Sequence, residues 1–98
     1  MPTRRLLQLK LDRRELGFCS ARVVREDGAK TDWQLRVESP SEIDPFRDHM
    51  QAGASLNLNM LTIDGDRLVG DACVASLSDS IEAATVVVLS GMGPLRRA

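Results

Sequence analysis

Short runs in which apolar and polar residues alternate recur along this chain, and they constrain its fold more than any other feature. Clear examples occupy residues 7–11, 19–23, 33–37 and 56–60. An alternation with a period of two is typical of a strand that buries one face. Residues 68–77 form a fifth run, and residues 85–89 form a sixth that is apolar on both sides, as expected of a central strand.

Turn signals separate these runs. Asp27-Gly28 and Asp64-Gly65-Asp66 predict tight turns, and Gly17 follows a short polar segment after the first run. We therefore expect the first three strands to form an antiparallel meander. Gly70 lies inside the fifth strand, where it predicts a β-bulge.

One helix is predicted between the third and fourth strands. Residues 39–42 read Ser-Pro-Ser-Glu, which fits a capping box, and Asp44-Pro45 offers a second start. Because Pro45 would disturb a helix that began at residue 39, we favour a helix over residues 45–52 that ends at Gly53. Phe46 and Met50 are four residues apart and are expected to cover one end of the sheet.

The predicted elements define the fold class. Residues 1–98 form a single α+β domain that is mostly antiparallel β, with the order βββ-α-βββ and one short helix. A small β-sandwich and a partly closed barrel both satisfy this order. The composition, 43% hydrophobic and 28% charged, is that of a soluble globular domain.

Charge is distributed unevenly along the chain. Residues 1–36 hold nine Lys/Arg against five acidic residues, a net charge of +4, whereas residues 37–95 hold nine acidic residues against two arginines, a net charge of −7. Arg96 and Arg97 add +2, so the total is only −1, which disfavours a generic nucleic-acid or membrane partner. Two explanations remain open: both sets solvate outer faces, or a basic face of one copy meets an acidic face of another.

No motif for catalysis or for a cofactor is found in the sequence. His49 is the single histidine, and only the adjacent Asp48 is an obvious partner, so we interpret His49 as a solvated helix residue. Gly91-x-Gly93 is followed by Pro94 and the end of the sequence, whereas a phosphate site needs a helix there. We expect instead that the glycines allow a bulge or a close backbone contact.

Metal and disulfide sites are also disfavoured. Asp64, Asp66 and Asp71 have the wrong spacing for an EF-hand loop, and turn capping explains aspartates at such positions. Cys19 and Cys73 are expected to be buried free thiols, although a disulfide between paired strands stays open.

A basic cluster, Arg4, Arg5, Arg13 and Arg14, flanks the two ends of the first strand. Nucleic-acid modules usually combine such charge with stacking aromatics, and only Phe18 could lie nearby, so a nucleic-acid partner is disfavoured. Trp33 begins an alternating strand, where we expect it to anchor the core; if exposed, it would be a leading interface residue.

The chain resembles the major tail (tail-tube) proteins of phages in three segments. Residues 70–77 read G-D-A-C-V-A-S-L, and residues 84–95 read A-T-V-V-V-L-S-G-M-G-P-L. These are similar to that family's C-terminal strands, and residues 9–17 are similar to its opening hairpin. The resemblance implies a β-sandwich with one flanking helix, and a ring-forming role without catalysis.

Two functions follow as expectations. The first is a non-enzymatic structural protein that forms homo-oligomers without a cofactor, with interface candidates Arg13, Arg14, Trp33 and Arg36. The alternative is a monomeric barrel that binds a protein, peptide or nucleic acid through its N-terminal basic face. No apolar stretch is long enough to span a bilayer and no signal peptide is evident, so we expect a cytoplasmic protein, or a virion protein if the resemblance holds.

Overall fold

The structure is a computed structural model that describes residues 3–25, 33–78 and 85–97. Within these ranges the chain forms eight strands and one α-helix. In chain order they are β1 (Thr3–Leu11), β2 (Arg14–Leu16), β3 (Ser20–Arg25), β4 (Trp33–Glu38), α1 (Asp44–Ala52), β5 (Leu56–Thr62), β6 (Arg67–Ser78), β7 (Val86–Gly91) and β8 (Arg96–Arg97).

Six of these strands close into an antiparallel barrel. Neighbouring strands follow the order β1-β3-β4-β7-β6-β5, and β5 pairs back onto β1. The predicted mostly antiparallel fold with one short helix is confirmed in the form of a closed barrel, and the sandwich alternative is not what the structure shows. Closure pairs the long strands on both sides, which removes the free edges of an open sheet. Two strands were not predicted: β2, which pairs with β1, and β8, which pairs with β6.

The alternating leucines fill the barrel with one exception. Leu9 and Leu11 are buried as expected, but Leu7 is 66% exposed and Leu6 is buried in its place. The pairing of β1 with β5 shifts register between Leu6 and Gln8, which is a β-bulge. The bulge turns Leu7 outward, so the assignment of Leu7 to the inner face is wrong.

Helix α1 covers one end of the barrel. It begins at Asp44, one residue before the predicted start, and Gly53 ends it in a left-handed conformation with φ +66°. Phe46 is fully buried, whereas Met50 is 47% exposed, so the predicted contribution of Met50 to this cover is minor.

Trp33 lies at the opposite end of the barrel, inside the core. Its side chain is 1% exposed, and its indole N–H donates a hydrogen bond to the carbonyl oxygen of Gly93 over 2.8 Å. A Cβ atom added at Gly70 would lie 2.8 Å from the ring, and one at Gly91 would lie 2.6 Å from Cδ1 and still closer to Nε1. The two glycines therefore make room for the indole.

This packing corrects the predicted bulge at Gly70. The ladder between β5 and β6 is regular there, with Leu58 opposite Gly70. The register shift in β6 lies instead between Val74 and Ser76, where the strand pairs with β7.

The cysteines also depart from expectation. Both are free, but Cys19 is exposed and Cys73 is half-buried, so the expectation that both are buried is wrong. The predicted turn at residues 27–28 lies outside the described residues.

Candidate interaction surface

The structure separates the four predicted interface residues. Arg13 and Arg14 lie at the turn between β1 and β2, where the exposed Arg14 side chain pairs with Glu42 at 2.9 Å. Arg36 lies on the outer side of β4. Trp33 is buried, so it offers no surface to a partner, and its prediction as an interface residue is wrong.

The N-terminal basic cluster is likewise divided. Arg4 is engaged at the Trp33 end of the barrel, where it pairs with Asp66. Arg13 and Arg14 lie at the α1 end, and Arg5 lies on the flank between them. These four residues therefore do not form one continuous basic face.

Strand register instead builds a different basic surface. Arg5 on β1 lies directly opposite Arg22 on β3, and Arg22 lies directly opposite Arg36 on β4. All three side chains are exposed to solvent. Because neighbouring strands are about 4.8 Å apart, three guanidinium groups are anchored along roughly 10 Å. We call Arg5, Arg22 and Arg36 the arginine row.

Charge within the row is only partly compensated. Glu38 contacts Arg22 at 3.3 Å and Arg36 at 3.6 Å, and it is the only carboxylate that pairs with the row in the described ranges. Like charges directly opposite each other on adjacent strands destabilise a sheet. Repulsion within the row is therefore offset only in part, by the contacts of Glu38 with Arg22 and Arg36.

Exposed apolar side chains lie beside the row. Leu7 is 66% exposed two residues after Arg5, and Ile63 is 58% exposed. The backbone N–H of Ile63 donates to the carbonyl oxygen of Arg5 over 3.1 Å, which fixes the two residues next to each other. A groove of about 160 Å³ is lined by Arg5 and Ile63, and Cys19 also lines it. Apolar groups beside arginines are the composition that protein interfaces favour.

A second charged cluster stabilises the turn between β5 and β6. The carboxylate of Asp66 accepts a short hydrogen bond from Arg4 and lies 3.3 Å from the guanidinium of Arg97. Its hydrogen bond with Arg4 lowers the pKa of Asp66, and the positive charge of Arg97 adds to this effect. The predicted turn-capping role of Asp66 is wrong, since the turn is closed by the Thr62 hydroxyl, which accepts from the Asp66 N–H over 3.1 Å.

This cluster makes stability depend on pH. Because the pKa of Asp66 is lower in the folded protein, the contribution of Asp66 to stability is present above the unfolded pKa of about 4 and is lost as the pH falls through the folded value.

We expect Asp66→Asn to lower the free energy of unfolding modestly at pH 7, and the difference from wild type to shrink below about pH 4. Urea unfolding at both pH values measures this. Asp64→Asn is the control, because it makes the same substitution at a neighbouring aspartate that is more exposed and lies farther from Arg4, at 3.6 Å. An equal loss for Asp66→Asn at both pH values would contradict this role.

A cleft of about 210 Å³ separates α1 from the β1–β2 turn. Within it, Nδ1 of His49 lies 2.7 Å from the carbonyl oxygen of Pro45, and Nε2 lies 3.6 Å from the carboxylate of Asp12. The sequence indicates only the adjacent Asp48 as a partner of His49. Asp12 is 37 positions away and reaches the helix only because the barrel closes. The residues that line this cleft include no serine, threonine or cysteine nucleophile.

The described ranges contain no group of three or more His, Cys, Asp or Glu side chains arranged to hold a metal ion. They also contain no helix with the length and apolarity needed to cross a membrane.

Comparison with known proteins shows the fold but no family. No protein-family model and no curated protein matches this sequence. Among solved structures, the chain is similar to the crystal structure of a hypothetical protein from Staphylococcus aureus, with 13% sequence identity and a TM-score of 0.77. The similarity covers 93% of this chain and 68% of the other. The likeness to phage tail-tube proteins therefore stays a prediction.

Proposed function

We propose that this protein is a non-enzymatic assembly subunit that associates with copies of itself through the arginine row. The observation that carries the proposal is the register that aligns Arg5, Arg22 and Arg36 on one flank. Glu38 contacts only Arg22 and Arg36 of these three arginines. Such a row is unfavourable in the isolated molecule, and contact with acidic groups would relieve the repulsion.

The closed barrel restricts how copies can join. The six barrel strands pair on both sides over most of their length, so pairing of sheet edges offers little surface. Side chains on the outer faces would then make the contact. Charged and partly apolar flanks suit a contact between outer faces. Burial of apolar side chains supplies affinity, and charge complementarity sets the orientation of the two copies.

We further propose that the oligomer is a closed ring. Tail-tube proteins, which this chain resembles, build rings from one repeated contact. A contact between two different faces of the same subunit repeats head to tail, and it closes into a ring when its rotation allows. The single short helix between two sets of strands agrees with what the resemblance implies, whereas the closed barrel differs from the implied β-sandwich.

If copies associate through the arginine row, reversing the charge of the row should dissociate the oligomer. We expect Arg22→Glu/Arg36→Glu to be monomeric in low salt, where the wild type is oligomeric, because the substitutions replace attraction by repulsion at the contact. Light scattering measures the mass.

Arg67→Glu/Arg96→Glu is the matched control, since it makes the same charge change on β6 and β8 and should leave the oligomer intact. Dissociation by the control as well as by the row variant would contradict a role specific to the row.

The alternative is a monomeric barrel that binds another protein, a peptide or a nucleic acid through its N-terminal arginines. The exposure of Leu7 and Ile63 beside Arg5 favours a protein or peptide over a nucleic acid, since these side chains offer apolar contact and no stacking surface. Charge reversal at Arg13 and Arg14 should then abolish binding to an immobilised partner without unfolding the barrel. Unchanged retention of that variant would count against this alternative.

A further inference from the structure

We propose that the partner of the arginine row is the outer face of α1 on a second copy, with Asp44 and Asp48 as the acidic contacts. This inference rests on the proposed self-association and identifies the second half of the contact. It follows from the positions of the uncompensated charges and from the placement of α1 relative to the row.

Most carboxylates in the described ranges are already engaged within the molecule. Glu38 pairs with Arg22, Glu42 with Arg14, and Asp66 with Arg4 and Arg97. The other engaged acids are Asp12, which accepts from the backbone N–H of Asn57, Asp71, which accepts from the Asn57 side chain, and Asp64, which lies near Arg4. Glu15 is exposed, but it is a single carboxylate beside Arg14 on the short strand β2.

Asp44 and Asp48 differ from these acids. The side chain of Asp44 is 88% exposed and only 3.9 Å from Arg47, at the limit of an ion pair. Asp48 is exposed one turn later, and its side chain has no hydrogen bond or ion pair with another described residue. Residues four apart on a helix lie about 6 Å from each other on one face, which is close to the spacing of arginines on adjacent strands. The two aspartates can therefore meet two arginines of the row at once.

The two faces lie on different sides of the subunit. In the closed order of strands, β6 lies opposite β3, which carries the middle arginine of the row. Helix α1 covers one barrel end and packs mainly on β6. A subunit that offers the row on one side and α1 on another can bind one neighbour with each, so the contact is head to tail.

Apolar side chains complete the contact. Leu7 and Ile63 lie beside Arg5 and are exposed in the single chain. Docking of a helix over the row would cover them and remove water from the arginine–aspartate pairs, which strengthens those pairs. The inferred surface thus has an apolar part beside a charged part, as specific protein interfaces have.

Complementary charge reversal tests this arrangement. The first variant is Arg22→Glu/Arg36→Glu, and the second is Asp44→Lys/Asp48→Lys. Each alone places like charges across the contact, so we expect each to associate with itself at least tenfold more weakly than the wild type in low salt. An equimolar mixture should associate again, because the acidic row of the first variant meets the basic helix of the second.

Light scattering on each variant and on the mixture reads the result, and circular dichroism confirms that both variants fold. If Asp44→Lys/Asp48→Lys still forms wild-type oligomers while the row variant does not, the row has another partner surface and this inference is overturned, although the proposed function stands. A mixture that stays monomeric also overturns it. A wild type that is monomeric but binds polyglutamate or single-stranded DNA through the row would overturn both the inference and the self-association.

Discussion

Gly91→Ala should destabilise the protein by about 3 kcal/mol or more, the largest loss we expect from adding one methyl group. The new Cβ atom would lie 2.6 Å from Cδ1 of Trp33 and nearer still to Nε1, so the ring or the strand has to move. Movement of the ring would also break the hydrogen bond from Trp33 to the carbonyl oxygen of Gly93. Thermal unfolding should show a melting temperature lower by roughly 15 °C, since each kcal/mol shifts Tm by about 4–8 °C in a domain of this size.

Gly93→Ala is the matched control for this prediction. It makes the same chemical change two residues later, but a Cβ atom at Gly93 meets no other atom within 4 Å. We expect its stability to stay within about 0.5 kcal/mol of wild type. Equal losses for the two variants would mean that Gly91 does not make room for the indole, and that the packing of Trp33 described above is wrong.

Phe46→Ala should cost about 3–5 kcal/mol, because it removes a fully buried aromatic side chain from beneath α1. The cavity would lie between the helix and the barrel end that it covers, so we also expect faster amide exchange in α1 than in the barrel strands. Urea unfolding measures the first effect, and hydrogen exchange measures the second.

Met50→Ala provides the comparison on the same helix. Met50 lies one turn after Phe46 and is 47% exposed, so truncation should change stability by no more than about 0.5 kcal/mol. If both truncations were equally mild, α1 would not be held to the barrel by Phe46.

The local structure was largely predictable from sequence because it depends on short-range chemistry. Alternation and one continuous apolar run located the six barrel strands, and the pair Pro45 and Gly53 located the helix to within one residue at its start. These signals need only the neighbours of each residue. Barrel closure was harder to predict, because it depends on β5 pairing with β1, two strands about 50 residues apart.

The sequence-based predictions that the structure contradicts failed for one physical reason, which is contact between residues distant in sequence. A bulge shifted the register of β1 and exposed Leu7, although the alternation itself contains no sign of it. The role of Gly70 in β6 depends on the packing of Trp33 from β4, because the glycine makes room for the indole. The local sequence around Gly70 contains no sign of that contact. Burial of Trp33 removed it from the candidate surface for the same reason.

The arginine row shows the same dependence on register. Arg22 and Arg36 each occupy an outward position in a predicted strand, so their exposure was predictable. Their direct opposition was not, since it depends on which residues of β3 and β4 pair across a loop. Of the four predicted interface residues, Arg36 alone joined the row, which took Arg5 and Arg22 from outside that set.

The mass of the wild-type protein at two salt concentrations tests self-association most directly. Ionic strengths on the order of 0.01 M and 1 M give screening lengths of about 30 Å and 3 Å. Attraction between exposed charges is therefore nearly unscreened at the lower salt concentration and almost fully screened at the higher one. We predict a light-scattering mass well above the 10.8 kDa of one chain in low salt and a mass close to 10.8 kDa in high salt. A mass of one chain at both salt concentrations would contradict self-association through the arginine row.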